Sequence, residues 1–251
     1  MSGGVIAASQ HLRSPTVTPF QKLFSQHVGA AFARQLAFAD FLGDRNWSLT
    51  LSTGKVCFGD DLEYPIQLLG SEAHNNNTWL WAWANRHISP APQSMAAATA
   101  LRRMGQDQGM DVFSEPSFPL SAADGHSIAL VASGINGRCC YYRGPYEGGA
   151  AFFLVTDVPE TLLAPVPPER AISVITEVVS QFDVDHRLMA KTFLASQDFT
   201  VSEQNQSLVA SRPEGQMTLS FDEQGRLTNI GGTIEPRTVA DKKKQWWEIW
   251  K

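Results

Sequence analysis

The chain has 251 residues, 43% of them hydrophobic, and a formal net charge of -5. This length holds one large domain or two ordinary ones, with enough apolar material for a buried core. The acidic balance argues against a dedicated nucleic-acid-binding protein, because phosphate binding needs a concentrated cationic face. The composition therefore predicts a soluble globular protein without a nucleic-acid partner.

The N-terminal segment and the cysteines predict a cytoplasmic protein. Residues 1–17 lack a charged start followed by a continuous apolar core, so they predict a disordered lead-in and not a secretory signal. No later window approaches the length of a membrane span. Cys57, Cys139 and Cys140 fit no disulfide framework and no CxxC metal spacing, which indicates reduced thiols.

The first predicted element is a helix that begins after Thr18. Thr18 is a suitable N-cap, Pro19 occupies the first helical position and Gln21 completes a capping box. Apolar residues continue at helical spacing as far as Ala39. Gly43 is placed to end this helix in a left-handed conformation.

An apolar β-hairpin over residues 67–85 is the predicted centre of the fold, and a shorter hairpin over 47–58 precedes it. Trp79, Trp81 and Trp83 alternate with small or aliphatic residues, so the three indoles should share one face of a central strand that is covered on both sides. Core packing is the preferred role for these rings. A pocket for an aromatic or acyl ligand is the alternative.

Further elements complete a main domain over residues 18–158. Helical spacing predicts a helix over 92–108, followed by a loop or edge strand over 113–120. Ser121 should cap a third helix that stops at Asn136-Gly137. Two apolar strands, 139–143 and 150–156, follow and extend the same sheet.

Prolines over residues 159–168 indicate a linker, because this density of proline suits neither a helix nor the interior of a sheet. Beyond it, two helical stretches and a four-strand meander predict a smaller helix-plus-β-meander subdomain over 169–235. The strands arrive as hairpins and meanders, so the predicted fold class is α+β, with helices packed on mostly antiparallel meander sheet. The repeated order leaves open two helix-plus-meander subdomains.

Several motifs together resemble a bacterial family of domains of unknown function. The segments QLLGS followed by TWLWAWAN, and later YYRGPYEGGAAFFLV, carry the resemblance over residues 20–156. The weaker segments VDHRLMA and FDEQGRL extend it loosely over 170–230. The resemblance implies a bacterial cytoplasmic protein, and it brings no activity, cofactor or catalytic residue.

The glycine-rich segment 144–149 is the richest loop for chemistry. Its glycines would let backbone amides face a ligand, while Arg143 holds an anion and Glu147 acts as a base. Tyr146, His126 and Asn85 complete the candidate ligand site. The competing interpretation is an ordinary strand connection in which Arg143 pairs with Glu147.

Other polar groups favour structural roles. Asp183, Asp185 and His186 have the chemistry of metal ligands, but capping of the next helix by Asp183 explains them equally well, so no metal and no cofactor is predicted. Cys139 and Cys140 lie in an apolar strand without a feature that lowers a thiol pKa. No catalytic residue is predicted, because no nucleophile motif is present.

Residues 236–251 predict a mobile tail rich in lysine and tryptophan. Its chemistry is carried by six side chains: Lys242, Lys243, Lys244, Trp246, Trp247 and Trp250. The tryptophans either fold back on their own domain or dock on a protein partner, and the shortness of the segment disfavours contact with a membrane surface. A non-enzymatic protein-binding module is therefore the preferred function. A small-ligand-binding protein or enzyme with a site near Arg143 is the alternative.

Overall fold

The computed structural model describes residues 17–234, so most of the predicted lead-in and the whole lysine- and tryptophan-rich tail lie outside the described residues. No helix in this range is long and apolar enough to cross a membrane. The described range contains six α-helices: α1 (Pro19–Leu42), α2 (Ala96–Gln108), α3 (Asp111–Ser114), α4 (Gly125–Asn136), α5 (Pro168–Gln181) and α6 (His186–Ser196).

Eleven described strands form two sheets, and every pairing between them is antiparallel. The seven-stranded sheet contains β1 (Trp47–Thr50), β2 (Lys55–Phe58), β3 (Leu62–Ala73), β4 (Thr78–Trp81), β5 (Ser117–Pro119), β6 (Cys140–Tyr146) and β7 (Gly149–Val155). The four-stranded meander contains β8 (Thr200–Gln204), β9 (Ser207–Arg212), β10 (Gly215–Phe221) and β11 (Leu227–Ile234). The predicted α+β class with antiparallel meander sheet is confirmed.

The predicted start of α1 is confirmed in detail. The Gln21 amide donates to Thr18 Oγ1 at 3.1 Å, and the Thr18 amide donates to Gln21 Oε1 at 2.9 Å. Gly43 ends the helix with a positive φ of 55°, but its ψ of -142° lies outside the left-handed helical region. One bond from the Gly43 amide to the Ala39 carbonyl, 2.9 Å long, closes the last turn.

The central hairpin is confirmed, but its tryptophan strand is shorter than predicted. β3 pairs with β4 in a register that places Gly70 opposite Trp81, and Trp79 and Trp81 are fully buried. The strand ends at Trp81, and Trp83 lies in a short 3-10 helix (Ala82–Ala84). Trp83 is only partly buried, and the guanidinium of Arg102 lies over its ring at 4.1 Å from the centroid.

Two predicted helix caps are displaced along the chain. Asp124, and not Ser121, caps α4 by accepting from the Ser127 amide at 2.7 Å. Asp185, and not Asp183, caps α6 by accepting from the Leu188 amide at 2.9 Å. In both cases the cap is the last extended residue before the helix, where a side-chain oxygen reaches the third amide of the first turn.

Helices α1 and α6 pack with residues of both sheets in one apolar cluster. That cluster contains Val28 of α1, Ile128 of α4, Phe193 of α6 and Leu219 of β10. The predicted linker 159–168 contains a short 3-10 helix (Glu160–Leu162), and its Leu162 is buried. The apolar cluster contains residues from both sides of this segment. The subdomain boundary stays a prediction.

Candidate functional site

The predicted glycine-rich loop is largely strand. β6 and β7 are joined by Glu147 and Gly148 alone, so Arg143 lies within β6. A Cβ at Gly149 would lie 2.2 Å from the Glu72 carbonyl oxygen. The residue at this position is glycine because β3 and β7 approach too closely here for a side chain. The segment 144–149 is therefore mostly strand with a two-residue turn and not the predicted loop, while its ligand role stays a prediction.

Glu72 of β3, which was not among the predicted site residues, is the partner of Arg143. The Arg143 Nε atom lies 3.9 Å from Glu72 Oε2, and Arg143 Nη2 lies 3.4 Å from His74 Nε2. Glu147 is exposed at the β6–β7 turn. The suggested pairing of Arg143 with Glu147 is replaced by this contact between β6 and β3. The contact depends on the register of the strands, which cannot be read from a single sequence.

The Glu72 carboxylate also binds the first turn of α4. Glu72 Oε1 accepts from the Gly125 amide at 2.9 Å, and only 7% of Glu72 is exposed. The unpaired amides at the start of a helix favour a negative group at this position. Glu72 therefore fastens α4 to the seven-stranded sheet.

His126 lies beside this contact and has a polar partner of its own. Its Nδ1 atom is 3.0 Å from the Tyr141 hydroxyl oxygen, and its ring meets Phe152 edge-on with centroids 5.3 Å apart. Burial lowers the pKa of His126, and Arg143 adds to that effect, while Asp124 and Glu72 oppose it. A neutral imidazole packed between two aromatic rings suits a structural role.

The remaining predicted ligand residues do not complete a site. The Tyr146 hydroxyl donates to the Glu72 carbonyl at 3.5 Å, while half of the Tyr146 side chain remains exposed. Asn85 follows the 3-10 helix after β4, and its Oδ1 accepts from the His87 amide at 3.0 Å. The structure thus gathers Arg143, His126 and Tyr146 around Glu72, in contacts that hold the fold.

The predicted metal-like group near α6 also has internal partners. His186 Nδ1 accepts from the Leu227 amide at 3.0 Å, which ties the start of α6 to β11. Asp185 is occupied as the α6 cap. Within residues 17–234, no group of three His, Cys, Asp or Glu side chains could hold a metal ion.

A cleft of about 740 Å³ lies elsewhere, between α1, the end of α4, residues 161–167, which we call the connecting segment, and α6. We call it the interhelical cleft. Small side chains of α1 form its floor: Ala30, Ala33 and Ala37. Residues 161–167 form one wall, and the C-terminal turn of α6 forms another. This volume is in the range of about 300 to 1,000 Å³ that small-ligand sites occupy.

Hydrogen bonds fix the wall of the interhelical cleft. The Val166 amide donates to Gln197 Oε1 at 2.8 Å. Arg212 of β9 donates to the Val166 carbonyl at 2.9 Å and to the Gln197 carbonyl at 3.0 Å. These hydrogen bonds hold the connecting segment to the meander sheet.

Arg34 is the one charged side chain that lines the cleft within residues 17–234. Its Nη2 atom donates to the Ser133 carbonyl at 3.0 Å, whereas its buried Nε atom has no hydrogen-bond partner in the described part of the chain. Burial lowers the pKa of Arg34, but a guanidinium stays protonated in proteins. The cleft therefore carries a positive charge.

The neighbouring His27 does not add a second charge at neutral pH. Burial lowers its pKa, and nearby Arg34 acts in the same direction, while a backbone hydrogen bond with Gly134 opposes them. A Cβ at Gly134 would lie 2.4 Å from His27 Cβ, so α1 and α4 approach closely here. This contact closes one end of the cleft.

The sequence contained a weak signal for Arg34 that our predictions did not use. The residues three and four positions away on either side are alanines or phenylalanine: Ala30, Ala31, Ala37 and Phe38. An arginine without an acidic helical neighbour on an apolar face must find its partner outside its own helix.

The lowered pKa values of His27 and His126 predict a loss of stability on mild acidification. The unfolded chain takes up protons near the ordinary histidine pKa of 6.5, whereas folded His27 and His126 do so only at lower pH. Proton binding thus favours the unfolded state, and the free energy of unfolding falls as pH drops through this value. We expect urea unfolding to require less denaturant at about pH 5.5 than at about pH 7.5. In the double variant His27→Gln with His126→Gln, this difference between the two pH values should shrink. An unchanged difference would show that these two histidines do not cause the loss of stability.

The described fold is α+β, and its interhelical cleft carries the positive charge of Arg34. The chain belongs to the Family of unknown function (DUF6882), whose model matches residues 21–158, more than half of the chain. The resemblance expected over 20–156 is confirmed at the level of the family. No curated protein and no solved structure matches the chain. The matched region contains Arg34, while the connecting wall and α6 lie beyond it.

Proposed function

We propose that this chain is a non-enzymatic protein that binds a small molecule in the interhelical cleft. The observation that carries this function is the cleft itself, about 740 Å³ in volume, with a floor of alanines and a hydrogen-bonded wall. Concave sites of this size are the common form of small-ligand sites. The cleft replaces the loop near Arg143 as the candidate ligand site.

Two of the three hydroxyl side chains that line the cleft within the described residues, Thr192 and Ser196, favour binding over catalysis. Thr192 Oγ1 donates to the Leu188 carbonyl at 2.9 Å, and Ser196 Oγ donates to the Phe193 carbonyl at 2.6 Å. Both hydroxyls are therefore engaged with their own helix, and neither faces a general base at hydrogen-bonding distance. Nucleophilic catalysis needs that pairing.

Filling the cleft tests the proposed function. Ala30→Phe places a large ring on the cleft floor, and Ala100→Phe, at an exposed position of α2, is the matched control. Fragments that bind the full wild-type chain in ligand-observed NMR should lose binding to Ala30→Phe and keep it with Ala100→Phe. Equal binding to all three proteins, or no fragment binding at all, would overturn the proposal. Circular dichroism confirms that the compared variants are folded.

As a second candidate, we propose that residues 241–251 dock on an acidic protein partner. The support is the sequence, in which a lysine run precedes Trp246, Trp247 and Trp250. Buried aromatic anchors carry most interface energy, and cations steer association toward acidic surfaces. Deleting 241–251 should leave the free energy of unfolding and liposome binding unchanged. The deletion and the variant with all three tryptophans replaced by alanine should lose the same acidic partner. A loss of several kcal/mol of stability on deletion would place the tail in the folded core instead.

We also propose a cytoplasmic location. The support is the chemistry of the cysteines, all three of which are unpaired. Burial raises the pKa of Cys139 to about 11 and that of Cys140 to about 12, so these neighbours remain neutral thiols. Unpaired buried thiols suit a reducing compartment.

A further inference from the structure

We propose that the interhelical cleft selects small molecules that carry a carboxylate, and that Arg34 holds the carboxylate. This inference rests on the small-molecule function proposed above. It adds the chemical class of the ligand and the residue that recognises it.

The charge of the cleft is the first support. No acidic side chain lines the cleft within the described range, and Arg34 forms no salt bridge with any described carboxylate. The neighbouring Cys139 and Cys140 are neutral thiols. A charge taken out of water is costly unless it is paired, so an anion that enters the cleft gains the interaction that the folded chain leaves unmade.

The hydrogen bonding of Arg34 is the second support. Its bond to the Ser133 carbonyl stabilises the end of α4, and this structural role accounts for one of the five N–H donors of a guanidinium. It leaves Nη1 without a hydrogen bond among residues 17–234. We assign the Nη1 and Nη2 edge to the ligand, because the buried Nε atom has no surface that a molecule in the cleft contacts. A planar carboxylate accepts from a guanidinium edge through two oxygens, which makes arginine the side chain best matched to it.

The rest of the lining indicates what the carboxylate is attached to. The floor is alanine, and the wall presents Leu162, Pro165 and Val166, so an apolar body fits beside the charged group. A single arginine balances a single negative charge, which favours a monocarboxylic acid over a phosphate or a dicarboxylate. The predicted class is therefore an aliphatic or aryl monocarboxylic acid.

Matched acid and amide pairs test this inference on the full chain. Hexanoate with hexanamide, and phenylacetate with phenylacetamide, keep the apolar body and change only the charge. We expect calorimetric titration or NMR to show each acid that binds doing so at least about tenfold more tightly than its amide. Arg34→Gln should abolish that preference and leave amide binding within about twofold. Arg34→Lys keeps the charge without the planar fork and should retain only part of the preference.

The outcomes separate this inference from the proposed function. If acid and amide bind the wild-type chain equally, and Ala30→Phe removes both, the cleft is a small-molecule site and carboxylate selection is overturned. If no acid or amide binds and the fragment screen is also empty, both proposals are overturned. The acid and amide comparison needs only the wild-type protein, so a poorly folded Arg34 variant leaves the test decisive.

Discussion

Replacing Trp81 by alanine is expected to lower the free energy of unfolding by about 3 to 5 kcal/mol, the range for a large aromatic side chain removed from a packed core. The indole is fully buried, and its Nε1 donates to the Val112 carbonyl at 2.9 Å. Its ring packs on Trp79 with centroids 5.4 Å apart and on Phe113 at 6.1 Å. Truncation therefore creates a cavity and leaves a carbonyl without its donor.

Two companion substitutions divide this effect between packing and hydrogen bonding. Trp81→Phe keeps an aromatic ring and loses the donor to Val112, so it should cost less than Trp81→Ala. Trp83→Ala should also cost less, because Trp83 is only partly buried and its Nε1 has no partner among the described residues. Chemical denaturation followed by circular dichroism measures all three. A loss under about 1 kcal/mol for Trp81→Ala would mean that the ring contributes little to the core.

Local chemistry made the helices and hairpins predictable. The capping box of Thr18 and Gln21 fixes the start of α1 with contacts three residues apart, so the sequence alone contains the whole signal. The hairpins and the final meander are equally local, since each strand pairs with its neighbour in the chain. These elements account for the correct α+β prediction.

The errors arose where a distant segment decides the local structure. Alternation of Trp79, Trp81 and Trp83 suits a strand throughout, but β5 is only three residues long and its pairing with β4 stops at Leu80. Beyond that point the backbone lacks a strand partner on this side, and the chain turns into a 3-10 helix. The length of β5 is set by residues about forty positions later, which periodicity in the hairpin does not report.

The candidate sites depend on the same kind of long-range information. Arg34 and the connecting segment are more than a hundred residues apart, and Gln197 and Arg212 bind that segment through Val166. The sequence pattern predicts no special role for Glu72, because it indicates only that this residue lies in a hairpin strand. Its importance follows from a helix start that the fold brings to it from 53 residues away.

Replacing Glu72 by alanine is expected to lower the free energy of unfolding by about 3 kcal/mol, since a buried hydrogen bond to a charged group contributes about 1.5 to 3 kcal/mol and its loss leaves an amide unsatisfied. Two groups lose their contact with this carboxylate together: the Gly125 amide at the start of α4 and the Arg143 guanidinium, which keeps its contact with His74. Glu147→Ala is the matched control, a carboxylate in the adjoining β6–β7 turn that is exposed. It should change stability by less than about 0.5 kcal/mol.

Glu72→Gln separates the two contacts of this carboxylate. The amide oxygen of glutamine still accepts from the Gly125 amide, but the charge beside Arg143 is lost, so the expected loss is smaller than for alanine. If Glu72→Gln and Glu72→Ala are equally destabilising, the ion contact with Arg143 is the main contribution, and Arg143→Ala should match them. If Glu72→Ala is as mild as Glu147→Ala, Glu72 does not fasten α4 to the sheet, and its cluster with Arg143, His126 and Tyr146 returns as a ligand site.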